Sequence, residues 1–223
     1  MNHAVQTPQP TDTADTARAA LDTLDALLPG FADPVHDTQA VFRALLDALA
    51  RPGRIGVIQA ALPAADTTPG ATGVGRAAFA SLLALCDYAT PVWLAQPDAA
   101  LAAALRFHSG APLTTVAADA AFAYVHDAAA LPSLATLASG TPETPEQSAT
   151  VFVRVDSLTD GAPVTLRGPG IEDAHTIAPV GLPERFWHER AALAALFPCG
   201  IDFYLVCDDQ LVGLPRTTLV EMN

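Results

Sequence analysis

The sequence predicts an α/β fold in which a mixed β-sheet is covered by helices. Three observations carry this. Over the first two-thirds of the chain, segments with apolar residues at helical spacing alternate with short apolar runs, as in successive βα units. The last third changes to strand pairs separated by turn residues. And 46 of the 223 residues are alanine within a 51% hydrophobic total, which suits helices that pack closely.

The elements follow in order. Residues 1–28 read as a flexible extension: a polar, Pro- and Thr-rich tail to about residue 17, then a short helix over 18–28 stopped by Pro29-Gly30. The remainder, 29–223, reads as a single domain. Asp37 is placed to cap a helix over 38–50, with Val41, Ala44, Leu45, Ala48 and Leu49 on its apolar face and Gln39, Arg43 and Asp47 opposite. Arg51-Pro52-Gly53 ends it, and Arg54–Gln59 reads as a strand with Ile55 and Val57 on one face. A loop over 60–73 leads to a helix over 74–86. Val92–Ala95 is a short buried strand, Asp98 caps a helix through Phe107, and Ala121–Val125 is a strand. Asp127 is placed to cap a helix through Leu137. After a loop over 140–148, strands are expected at 151–155, 164–167 and 174–177, then a helix at 184–196 with Phe186, Leu193 and Phe197 on one side. Ile201–Cys207 is nearly all apolar and suits a central strand, turning through Asp208-Asp209-Gln210 into Leu211–Leu214.

The charge pattern excludes several chemistries. All 11 basic residues are arginine, so no lysine is present for a Schiff base or a P-loop phosphate contact. A net charge of −13 argues against a nucleic-acid binder and against an anionic membrane surface. A few arginines in a cleft remain able to reverse the local field for a small anion. The three cysteines, Cys86, Cys199 and Cys207, lack metal-site spacing and suit a reducing compartment. The N-terminus shows no charged region followed by an apolar one, and no stretch reaches transmembrane length, so a soluble cytoplasmic protein is expected.

Candidate contacts for an anion or a neighbouring subunit are few. Arg106 and His108 sit at a helix end, where they either grip an oxyanion or satisfy the helix C-terminus. Arg167-Gly168-Pro169-Gly170 follows a strand and forms either an anion nest or a plain turn. Arg216 and Thr217 follow the last long strand, with anion, subunit and solvent readings all open. Asp202 interrupts an apolar strand, so it is a structural ion-pair member or a site residue. The histidines form no metal-binding pair, no serine occupies a nucleophile elbow, and no catalytic residue, metal or cofactor is assigned.

Several segments, in order, resemble the PhnH family, a subunit of the bacterial carbon–phosphorus lyase system. They are Gly30–Asp37, Phe42–Leu46 leading to Arg51-Pro52-Gly53, Thr90–Leu94, Leu105–His108, Ser139-Gly140-Thr141 with Pro145-Glu146, Leu166–Ile171, Phe197–Asp202, and Pro215–Thr218 with Val220-Glu221. The resemblance spans about residue 30 to the C-terminus. It implies a fold similar to pyridoxal-phosphate-dependent transferases without the cofactor, which agrees with the missing lysine. It further implies a homodimer that joins PhnG, PhnI and PhnJ. That assembly makes ribose 1-alkylphosphonate 5-triphosphate from ATP and an alkylphosphonate, and this chain would support the step structurally. The competing expectation is an anion-binding enzyme acting alone on a phosphonate or nucleotide through arginine contacts.

Overall fold

In the computed structural model, residues 27–60, 62 and 73–222 are described. Residues 1–26 of the expected extension and most of the 60–73 loop therefore lie outside the described residues, whereas Leu28, expected to belong to the flexible extension, is buried in the core. The first helix, α1, spans Pro34–Ala50 and starts earlier than the sequence suggests. Its cap is Asp33, whose carboxylate accepts the His36 amide at 3.1 Å, and Pro34 occupies the first turn, where a missing N–H costs nothing. Asp37 serves the same end differently, accepting the Asp33 amide at 3.0 Å. Val41, Leu45 and Ala48 are buried as the periodicity requires.

The remaining elements are β1 (Ile55–Val57), α2 (Arg76–Leu85), β2 (Val92–Leu94), α3 (Ala99–His108), β3 (Leu113–Thr114), β4 (Phe122–Val125) and β5 (Thr150–Arg154). After these come β6 (Val164–Arg167), β7 (His175–Ile177), α4 (Glu184–Leu193), β8 (Asp202–Cys207), β9 (Gln210–Leu214) and β10 (Leu219–Met222). Asp98 caps α3 through the Leu101 amide at 2.9 Å.

The expected α/β class holds, with a mixed seven-stranded sheet in the order β1-β9-β8-β5-β4-β2-β3. Strands β3, β2, β4, β5 and β8 run parallel, and the β8–β9 hairpin and β1 add antiparallel neighbours. A second, antiparallel sheet, β10-β6-β7, was not foreseen as separate. Its outer members are short, and β10 follows the long hairpin with no apolar run of its own to announce it.

Alternate residues of the central strands feed two cores. Tyr124, Phe152, Tyr204 and Val206 face α1, α2 and α3, whose Leu45, Leu82 and Leu105 complete that side. Val125, Val151, Val153, Phe203 and Leu205 face the 128–137 segment, α4 and the small sheet, meeting Leu134, Phe186 and Leu166. Burial on both faces explains why β5 and β8 read as near-continuous apolar runs.

Two expectations need correction. Residues 127–137 do not form an α-helix. Pro132 lacks an amide in mid-segment, and the chain makes two 3₁₀ turns, Ala128–Ala130 and Leu134–Thr136. Asp127 still caps the first, accepting the Ala129 amide at 3.0 Å. The expected shared face of Ile55 and Val57 holds, and because β1 is a sheet edge both are exposed. Phe197 is likewise exposed, because the last helix ends as α-helix at Leu193 and Phe197 lies beyond the 3₁₀ turn Ala194–Leu196.

Candidate functional site

The sequence-selected residues fall into separate places. Asp202 begins β8 and Arg216 follows β9, so hairpin register sets them opposite each other. The Arg216 guanidinium donates to Asp202 Oδ2 from Nη2 at 2.7 Å and from Nε at 3.2 Å, and the Arg216 amide donates to Oδ1 at 2.7 Å. Its other N–H groups reach the Pro145 carbonyl at 2.8 Å, the Ser148 hydroxyl and the Pro198 carbonyl at 3.4 Å. Both side chains are only 18% exposed. Arg190 of α4 joins from behind, donating to the Pro215 and Arg216 carbonyls, and burial pushes its pKa down to about 10. Arg190 Nε and Thr218 Oγ1 are buried without a hydrogen-bond partner among the described residues. This clasp fastens the 145–148 segment and α4 to the hairpin, at the amino ends of the parallel strands. The Arg216 donors are directed at protein acceptors.

Arg167 is exposed and held by Glu221, Nε to Oε2 at 3.3 Å, and by the Asp173 carbonyl at 3.0 Å. Gly168 lies against the Thr217 carbonyl, which a Cβ would approach to 2.9 Å. Gly170 has φ +84°, and a Cβ there would come within 2.2 Å of the Ala50 carbonyl, so this turn packs flush on the end of α1. The geometry of Arg167-Gly168-Pro169-Gly170 is that of a packed turn. Thr217 is half-buried beside it.

Arg106 is exposed at the end of α3. His108 leaves its own helix end and bonds the Leu28 carbonyl through Nε2 at 2.9 Å, its ring lying over Gly30. His108 and Gly30, together with Phe31, Pro34, Thr38 and Leu83, line a cavity of about 200 Å³. A wider groove of about 480 Å³ runs between Ile55 of β1 and Ile177 of β7, with His175 Nε2 donating to the Gly53 carbonyl at 3.0 Å. It is largely apolar and open.

A second polar cluster is one that the sequence did not single out. It lies at the carboxyl ends of the parallel strands, where open α/β sheets hold their ligands. The crossover from β2 to β3 passes through α3 on one face, and that from β4 to β5 passes through the 128–137 segment on the other. The sheet therefore has its topological switch between β2 and β4. His126 follows β4, Arg154 ends β5 and Gln96 follows β2, its Oε1 accepting the His126 amide at 2.8 Å.

Hydrogen bonding fixes the imidazole tautomer. The Tyr124 hydroxyl donates to the Val74 carbonyl at 3.1 Å, so its oxygen accepts from His126 Nδ1 at 3.1 Å. Nε2 then carries the lone pair and accepts from Arg154 Nη1 at 3.3 Å. Burial lowers the His126 pKa, the Arg154 cation lowers it further, and Asp98 and Asp127 act in the opposite direction. Burial also holds the Tyr124 phenol protonated. Together with Asp127, Ala128, Ala129, Asp156 and Gly181, His126 and Arg154 line a cavity of about 200 Å³.

Because the folded pKa of His126 lies below its unfolded value, protonation favours the unfolded chain. The stability this residue contributes is complete above about pH 6.5 and is lost as pH falls toward the folded value. Between about pH 7.5 and 5.5 the denaturant midpoint should therefore fall further in the wild type than in His126→Gln. Equal falls would exclude the imidazole as the source.

His126 was one of several scattered histidines in the sequence, and Arg154 one polar member of an apolar strand. Only their common position, each closing one of two parallel neighbours, brings them together. Among the described residues no group of three His, Cys, Asp or Glu is arranged to hold a metal.

Comparison with known proteins gives a consistent result. A family model described as "Bacterial phosphonate metabolism protein (PhnH)" matches residues 29–221. A relative from Rhizobium meliloti (strain 1021), the alpha-D-ribose 1-methylphosphonate 5-triphosphate synthase subunit PhnH, is 43% identical over 193 residues, covering 86% of this chain and 94% of its own. A relative from Stutzerimonas stutzeri, named "Putative C-P lyase subunit protein HtxG", is 33% identical over 185 residues, covering 83% and 86%.

Proposed function

The chain belongs to the PhnH family of bacterial phosphonate metabolism proteins, and from that membership we propose that it is a structural or auxiliary subunit of a carbon–phosphorus lyase system. In this role it supports formation of ribose 1-alkylphosphonate 5-triphosphate from ATP and an alkylphosphonate. The observation that carries the proposal is that the family match runs through both sheets and the four α-helices of the described residues. The fate of the arginines is in keeping with it: Arg216 and Arg167 grip protein acceptors, which weakens the reading of a lone enzyme built on those contacts.

The partners in this reading are a second copy of the chain and the PhnG, PhnI and PhnJ subunits, in the cytoplasm. Residues 29–223 act as one domain. The likeness to pyridoxal-phosphate-dependent transferases belongs to the same family expectation. An available surface supports the subunit role: Val35, Phe42 and Leu46 form one stripe along the outer face of α1 and are 63%, 50% and 57% exposed. Among the described residues no helix is long and apolar enough to cross a membrane.

Co-expression of the tagged chain with the other three subunits tests the role. The expected result is one complex containing all four chains and forming the triphosphate product from ATP and methylphosphonate. Full assembly and full synthesis without this chain would overturn it.

A further inference from the structure

We propose that the cavity at the carboxyl ends of β4 and β5 is a binding site for a small zwitterion, an oxyanion carrying an amine a few ångströms away. Arg154 supplies the anion contact. It forms no ion pair among the described residues, and its hydrogen bond goes to a neutral imidazole. A guanidinium has five N–H donors in a planar fork, so donors remain for two oxygens of a carboxylate, phosphate or phosphonate. His126 sets the direction of that fork. Its Nδ1–H is tied to Tyr124, and its Nε2 holds one edge of the guanidinium in place.

The other end of the ligand is defined by carboxylates. Asp127 and Asp156 line the same cavity. Asp127 is partly engaged, since its Oδ1 accepts the Ala129 amide. The Asp156 carboxylate is kept open by a glycine: a Cβ on Gly181, at φ +108°, would come within 3.2 Å of Asp156 Oδ2. One cation and two acids around one cavity disfavour a simple anion of high charge. They match a molecule with charges of both signs, and a cavity of about 200 Å³ has room for about six waters' volume, hence for a compact ligand. The site lies one strand over from the sheet's switch between β2 and β4, away from the clasp of Asp202 and Arg216. The ligand class follows from these charges whichever assembly the chain joins.

Titration calorimetry on the purified full chain tests the site, with 2-aminoethylphosphonate and inorganic phosphate as probes. The zwitterion should bind one per chain, and phosphate should bind more weakly. Arg154→Gln should weaken zwitterion binding by at least about tenfold. Asp156→Asn should weaken the zwitterion and leave phosphate unchanged or tighter. Nitrogen NMR of the imidazoles gives a readout independent of variant folding, because His126 in the wild type should shift on binding while keeping its neutral tautomer. No heat and no His126 shift at about 10 mM zwitterion would overturn the site. Binding undiminished in a folded Arg154→Gln protein, or phosphate binding tighter than the zwitterion in the wild type, would overturn it equally.

Discussion

Asp202→Ala should destabilise the protein by about 3–5 kcal/mol, enough to remove much of the stability of an ordinary domain. The reason is charge balance in a confined place. Arg216 is paired with Asp202, and the guanidinium of Arg190, almost wholly buried, sits behind it on the Pro215 and Arg216 carbonyls and feels the same carboxylate's charge. Removing Asp202 leaves both cations facing each other without a counter-charge. It also strips the Arg216 amide of its acceptor, which stands at 2.7 Å. Asp202→Asn keeps an acceptor and should lose less. Urea unfolding at neutral pH measures the effect, and a double change of Asp202 and Arg216 to apolar residues should cost clearly less than the sum of the two single losses. A loss below about 1 kcal/mol for Asp202→Ala would show that the clasp contributes little to the fold.

Phe152→Ala should cost a similar amount, about 3–5 kcal/mol, by opening a cavity in the middle of the main sheet. The ring is fully buried and stacked on Tyr204, with centroids 5.0 Å apart and planes within 7°. Such a pair adds about 0.5–1.5 kcal/mol beyond the area it hides. Tyr204 in turn donates its hydroxyl to the Leu45 carbonyl at 3.0 Å, and burial keeps that phenol protonated. Loss of Phe152 therefore loosens the seat of α1 as well. Phe152→Leu fills most of the space and should lose markedly less. Thermal unfolding of the two variants decides the matter, and equal losses would mean that ring stacking and cavity size are not the cause.

How far the sequence went depended on whether a signal was local. Helix caps and apolar stripes are local, so α1, α2, α3 and the long hairpin were legible to within a few residues, as were β2, β4 and β5, whereas the two-residue strand β3 was not foreseen. Asp33 and Asp37 show the limit of such reasoning. Either acid can serve a helix start, and the choice fell to the one preceding proline. The 128–137 segment carried an apolar pattern that suits a helix, but Pro132 and the need to span from β4 to β5 prevailed. The second sheet depends on pairing between residues far apart, Val164–Arg167 with Leu219–Met222, which no short window contains. The polar cluster was hidden for the same reason. His126 and Arg154 are remote in sequence and acquire a shared environment only once β4 lies beside β5. Asp202, by contrast, was visible as an acid in an apolar run, and its need for an arginine followed from burial alone.

The pleat of the main sheet has one more consequence. In β5, Phe152 belongs to one core while Val151 and Val153 belong to the other, and β8 divides Tyr204 from Phe203 and Leu205 in the same way. Each backbone is thus a thread passing through two cushions of side chains, stitching them together. Pulling out either side strips the reverse of the same threads, so loss of one cushion should weaken the other as well.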